Sequence, residues 1–264
     1  MMDLATTTNK VREITLEAGE IAKKYFRQAD LSHHSKGGSD FVTKGDLEVD
    51  AFLREKLAQH FPTTQFLTEE TAPPDFMQLK NAENLWIIDP IDGTTNFSRG
   101  DEHFAISIAL YDKGEIKIGI VYLPIEGKMY FGNANDDNAY CNEEKLKVSE
   151  LSDLKVTSVA YDWAWDLSDR VIMQQWVGKF MTTIRQPRSL GSAAADLAKV
   201  ALGEIDGYVN IGIKPWDIAA ASLLVTKAGG KITKADGSEW NVFDKELLAT
   251  NGIIHEKFLA LLSA

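Results

Sequence analysis

The stretch that most constrains this chain is WIIDPIDGTTNF, residues 86–97. An apolar run, read as a short buried strand over 85–88, ends abruptly on Asp89 and Asp92, with Pro90 between them and Gly93-Thr94-Thr95 behind. Pro90 rules against a regular helix through the two acids. The segment therefore runs from extended chain into a turn, where both carboxylates can point at one spot beyond the strand's carboxyl end. Two ionised carboxylates that close repel, and one is driven toward its protonated form unless a cation lies between them. A hard divalent ion such as Mg²⁺ prefers such an oxygen cluster. Gly93-Thr94-Thr95 adds backbone N–H groups at a turn or helix start, which favour an oxyanion, and glycine lets the backbone approach it. Metal beside anion cradle is what phosphate handling requires. The competing reading makes Asp92-Gly93 a simple turn and Asp89 an exposed cap.

Around this stretch the periodicities predict an α+β chain. Val11, Ile14, Ala18, Ile21, Ala22, Tyr25 and Phe26 have helical spacing over 9–27. A polar, Gly-containing loop over 32–40 follows, then a second helix after Asp46, which sits where an N-cap would be. Strands are expected at 64–68 and 85–88, then a meander at 104–111, 116–123 and 128–131, with polar, irregular chain over 132–144. In the second half, strands at 156–161 and 183–186 flank a helix around 170–180. An Ala-rich helix over 192–202 stops at Gly203, a strand covers 208–212, and a helix over 217–228 stops at Gly229-Gly230. Asp236-Gly237 marks a hairpin, and a last helix covers 254–262. The shift from antiparallel meander to alternating strand and helix divides the chain into packed subdomains 1–150 and 151–264, with no Pro/Gly/Ser-rich linker between them.

Composition narrows the function. A net charge of −11 argues against a nucleic-acid surface. It leaves small phosphorylated substrates open, because a bound metal locally reverses the field. Cys141 is the only cysteine, so no internal disulfide can form, and it reads as structural. No stretch is apolar enough to span a membrane, and 1–13 lacks a signal-peptide pattern, so a cytoplasmic enzyme is expected. The five histidines are scattered without ligand spacing.

Further acids are candidates for the same site. Glu69 and Glu70 end the 64–68 strand and point to opposite sides, so only one should enter a given site, and Glu70 reads as solvated. Asp46 and Asp217 each stand at a helix start, where a cap or a favourable helix dipole is the plainer explanation.

Together, DPIDGTTNF (89–97), the Glu69-Glu70 pair, VTKGD (42–46), PWDIAAA (215–221) and GSAAADLAKVALGEIDGY (191–208) resemble the inositol monophosphatase family, from about residue 11 to the end of the chain. The resemblance implies a layered αβαβα sandwich, a homodimer, two or three Mg²⁺ per site and inhibition by Li⁺. It also implies hydrolysis of a small-molecule phosphate monoester, in the first place inositol 1-phosphate, by metal-activated water. By position, Glu69, Asp89 and the Ile91 carbonyl resemble the ligands of one metal, and Asp89, Asp92 and Asp217 those of a second, with Glu69 also serving a third. Asp46 and Thr94 match the pair that deprotonates the attacking water, and Gly93 and Thr94 match the phosphate-holding N–H groups. Asp92, Ala193, Asn210 and Asp217 complete the implied substrate contacts.

The departures concern the alcohol half. Asn210 stands where members acting on inositol phosphates usually have Glu, so a neutral amide replaces a charged acceptor. Tyr161, Trp163 and Trp165 form an alternating aromatic strip expected to pack in the core or a dimer contact, and Arg188 suits either the dimer interface or the pocket, the interface being slightly favoured. Glu143 replaces a family glycine in the 133–144 loop. Histidinol-phosphate phosphatase is the alternative within the family, and a partner-binding role the alternative outside enzymology. A second phosphate on the substrate is disfavoured because no extra basic cluster flanks the motifs.

Overall fold

The chain's architecture follows from which faces of its strands are apolar. In the computed structural model, which describes residues 3–27, 34–37 and 40–263, α1 (Leu4–Tyr25) is capped by the Asp3 carboxylate accepting from the Thr6 N–H and buries Val11, Ile14, Ala18 and Ala22. His33 lies outside the described residues. Part of the expected 32–40 loop is instead two paired strands, β1 (His34–Gly37) and β2 (Asp40–Val42). α2 (Lys44–His60) starts before Asp46, not after it. Its N-cap is Thr43, and Asp46 reaches back to the Thr43 N–H at 2.9 Å, so the threonine does the capping expected of the acid.

The remaining elements follow in order: β3 (Gln65–Thr68), β4 (Leu85–Asp92), α3 (Thr94–Arg99), β5 (Ala105–Asp112), β6 (Glu115–Leu123), β7 (Lys128–Asn133), β8 (Ala139–Cys141), β9 (Glu144–Lys145), β10 (Ser158–Tyr161), α4 (Leu167–Phe180), β11 (Gln186–Arg188), α5 (Ala193–Leu202), β12 (Gly207–Ile211), α6 (Pro215–Lys227), β13 (Lys231–Thr233), β14 (Glu246–Thr250) and α7 (His255–Ser263). β3 to β9 form a seven-stranded sheet in chain order. It is antiparallel except at its edge, where β3 runs parallel to β4. The crossover is made by the chain between them, which carries the 3₁₀ turns Glu69–Thr71 and Phe76–Asn81. The 132–144 segment is more regular than its polar composition suggests, because Ala139 and Cys141 turn inward and give β8 an apolar side. The second sheet, ordered β11-β10-β12-β14-β13, mixes parallel pairs at β10 with antiparallel pairs at β14. Pro187 sits in its edge strand β11, where a missing N–H costs no ladder bond. The turn at Asp236-Gly237 opens a long β13–β14 connection, not a tight hairpin.

Three apolar cores give five layers. β4 is buried throughout: Trp86 and Ile88 join α1 and α2 in one core, while Leu85 and Ile87 join α5 and α6 in another. The α5–α6 core continues into the second sheet through Tyr208, Leu247 and Ala249. The sheet's other face, with Val159, Val209 and Leu248, packs on α4 and α7 through Met173, Phe180 and Phe258. The order is therefore αβαβα. The middle helices lie hard on the first sheet: a Cβ at Gly119 would meet the Ala220 carbonyl oxygen at 2.3 Å. His255 has a packing role, buried between the Thr233 and Thr250 hydroxyls at 2.9 Å each.

Candidate active site

Register explains how β4 ends on two acids. Asp89 lies opposite Ser107, and Asp92 lies opposite Ala105. Three steps along β4 thus match two along β5, a bulge at Pro90 and Ile91. Proline, lacking an N–H for the ladder, is suited to such a position. In a regular strand, side chains three apart face opposite ways. The extra residue brings Asp89 and Asp92 to one face, toward the middle helices.

Helices begin around that face. Gly93, at φ 95°, turns the chain into α3, and a Cβ there would meet the Gly191 carbonyl oxygen at 3.0 Å and Ser192 Cβ at 3.2 Å. Asp92 reaches the start of α5, accepting from the Ser192 hydroxyl and from the Ala194 N–H at 2.8 Å. Asp217, in the first turn of α6, accepts from the Lys214 N–H at 2.8 Å. First-turn N–H groups have no intrahelical acceptors, so all three helix starts offer positive potential.

Carboxylate oxygens of Asp89, Asp92 and Asp217 lie within 4.8 Å of one another. Burial, then the charges of Glu69, Asp92 and Asp217, hold the Asp89 carboxyl well above its usual range. Asp217 is raised by burial and by Asp92. Asp92 is raised by burial, against the opposing hydrogen bonds from Ser192 and Ala194. This all-oxygen, mutually repelling set fits a hard divalent cation, which Asp89, Asp92, Asp217 and the adjacent Glu69 would hold. Asp46 is fully buried and pushed up to about 6, first by burial, with the Thr43 hydroxyl opposing and the Glu70 charge adding to the rise. Glu70 is therefore not the solvated residue expected: it is half-buried and acts on Asp46.

A pH dependence follows. The folded chain retains protons on Asp46, Asp89, Asp92 and Asp217 that the unfolded chain releases above the ordinary carboxylate range near 3.8. Metal-free stability from these groups is thus present below that range and lost as pH rises through the folded values, about 6 for Asp46. A divalent cation held by these acids would compete with protons for the same oxygens, so the rise in melting temperature on adding Mg²⁺ should be larger at pH 8 than at pH 5. Equal shifts at both pH values would contradict the cluster.

A cavity of 420 Å³ is lined by Glu69, Asp89, Asp92, Gly93, Thr94, Ala193, Asn210 and Asp217, bringing together most residues implied by sequence. Asp46 and Ile91 stand behind its wall. The Thr94 hydroxyl reaches both, donating to Asp46 at 3.0 Å and approaching the Ile91 carbonyl at 3.2 Å, while the Ile91 side chain packs in the α1–α2 core. Arg188 is off the cavity wall, half-buried, and donates to Gln186 at 3.1 Å. The aromatic strip splits. Tyr161 packs on Phe180 in the α4–α7 core, as expected, but Trp163 and Trp165 line the cavity, 44% and 58% exposed. β10 ends at Tyr161, so strand alternation does not carry their side chains inward.

Sequence reasoning passed over Asp162 and Ser192. Asp162 lines the cavity and accepts from the Gly191 N–H and the Tyr208 hydroxyl, both at 3.0 Å. Its place directly beyond the carboxyl end of a parallel strand was the available signal. Ser192, the N-cap of α5, holds Asp92 and was visible only as a helix start.

Comparison with known proteins agrees with this geometry. The profile of the inositol monophosphatase family matches residues 3–264. Inositol-1-monophosphatase of Bacillus subtilis is 34% identical over 252 residues, covering 91% of this chain and 94% of the relative. Nus factor SuhB of Pasteurella multocida is 34% identical over 230 residues, covering 87% and 85%. The inositol monophosphatase structure from Anabaena superposes with a TM-score of 0.85 at 31% identity, covering 99% of this chain and 97% of that one.

Proposed function

Because the chain belongs to the inositol monophosphatase family, we propose that it hydrolyses phosphate monoesters of small alcohols with Mg²⁺, inositol 1-phosphate among them. The observation that carries this is the convergence of Asp89, Asp92 and Asp217 on a cavity that also holds Glu69 and the start of α3. Bound to these acids and the Ile91 carbonyl, Mg²⁺ would neutralise the phosphoryl oxygens, lower the pKa of a water and stabilise the leaving oxygen. The chain's own groups do the rest. The Thr94 hydroxyl points its hydrogen at Asp46, leaving its oxygen to accept a proton from the attacking water. Asp46 takes the relayed proton, and its raised pKa suits a base working near neutrality. N–H groups at Gly93 and Thr94 orient the phosphate. Under the same reading the protein is a cytoplasmic homodimer, with the substrate between parts 1–150 and 151–264.

The experiment is phosphate release from a panel of monoesters by purified protein. Turnover of inositol 1-phosphate and several other small polyol phosphates, within about two orders of magnitude of one another, is expected. Turnover confined to histidinol phosphate would replace this substrate reading with the alternative. A partner-binding role is favoured by the name of the relative Nus factor SuhB. A deletion strain fully complemented by the Glu69→Gln chain would support it.

A further inference from the structure

The cavity carries a recognition element that the family motifs do not include. Asn210, expected from the sequence to contact substrate as a neutral amide, has both its amide groups bonded inside the protein. Asn210 is only 7% exposed; its Nδ2 donates to the Tyr208 hydroxyl at 3.0 Å, and its Oδ1 accepts from the Ile211 N–H at 2.8 Å. Tyr208 in turn donates to Asp162, whose other oxygen takes the Gly191 N–H. A carboxylate offers about four acceptor sites, so Asp162 retains capacity for a ligand after both bonds are made. It stands on the cavity wall with its direction fixed from two sides. Trp163 and Trp165 continue the same wall, large indoles left substantially in solvent. The Trp163 ring is steadied edge-on by Tyr161, with centroids 5.7 Å apart and planes at 83°.

We propose that Asp162, with Trp163 and Trp165 beside it, reads the alcohol half of the substrate: the Asp162 carboxylate, not the residue-210 side chain, accepts a hydroxyl hydrogen, and the indoles cover the apolar face of a ring alcohol. The acceptor has thus moved from β12 to the end of β10, with Tyr208 linking the two positions. The inference rests on the phosphatase reading, deepening it to cyclic polyol phosphates.

The test compares wild type, Asp162→Asn and Trp165→Ala with Mg²⁺ on inositol 1-phosphate, glycerol 2-phosphate and p-nitrophenyl phosphate. Asp162→Asn should lower the ratio of kcat/KM for inositol 1-phosphate to that for p-nitrophenyl phosphate by about ten-fold, the loss residing in KM. Trp165→Ala, a change at an exposed side chain, should lower the ratio of inositol 1-phosphate to acyclic glycerol 2-phosphate by roughly three- to ten-fold. Unmoved ratios, or an equal fall in kcat on all three substrates, would overturn the proposal and reduce Asp162 to a support for Tyr208 and Gly191. Calorimetric binding of inositol 1-phosphate in Mg²⁺ separates the two readings if nothing is hydrolysed. Binding weakened about ten-fold by Asp162→Asn would then sustain this proposal without the phosphatase, whereas equal binding, or none, would overturn it.

Discussion

Replacing Asp89 with asparagine should lower kcat by about 10³-fold or more at saturating Mg²⁺, while the metal-free variant melts no lower than wild type. Asp89 is buried among Glu69, Asp92 and Asp217, and its charge is costly there until a cation is present. Asparagine has nearly the same shape and keeps an oxygen for the hydrogen bond that the Asp89 carboxylate accepts from the Ile91 N–H at 3.1 Å. The bulge that aims residues 89 and 92 is a backbone feature built on Pro90, so the substitution leaves it intact. Metal affinity and charge neutralisation are what the variant loses. A fall in metal-free melting temperature of about 5 °C or more, accompanying the fall in kcat, would instead make Asp89 a structural residue.

Thr94→Ala should lose roughly 10²-fold in kcat with little loss of stability. A threonine at a helix start invites the simpler explanation of capping. The N-cap of α3 is Gly93, however, and the Thr94 hydroxyl donates away from the helix to Asp46, with the Ile91 carbonyl oxygen 3.2 Å from it. Alanine removes the hydroxyl that joins the cavity to the buried Asp46, whereas Thr94→Ser should retain most of the activity. If Thr94→Ala instead costs about 1 kcal/mol of stability and leaves kcat within a few-fold, the hydroxyl is structural.

Much of the site was legible because its chemistry is local in sequence. Asp89, Pro90, Asp92 and Gly93 sit within one bulge and turn, and residue type alone restricts what such a segment can do. Helices and strands were found where apolar spacing is regular, as in α1 and the β5–β7 meander. Errors fell where position depends on distant contacts. Polar chain around β8 and β9 is ordered by pairing of β8 with β7 and of β9 with β8, which no local pattern announces. Asp46 looked like a cap because capping boxes place acid and threonine three residues apart, and only the helix start decides which one caps. Trp163 and Trp165 do not pack in the core, because strand alternation stops at the end of β10. Asp162 escaped notice because its partners, Gly191 and Tyr208, are remote in sequence and become neighbours only when the second sheet forms.

On the proposed function, this acidic cavity hydrolyses phosphate monoesters only with a divalent metal. The most direct measurement is orthophosphate release from inositol 1-phosphate by chelator-stripped protein, titrated with Mg²⁺. No release without metal, and recovery on titration that Asp89→Asn fails to show, is the expected result. Full turnover in excess EDTA, or no release at any Mg²⁺ concentration, would contradict it.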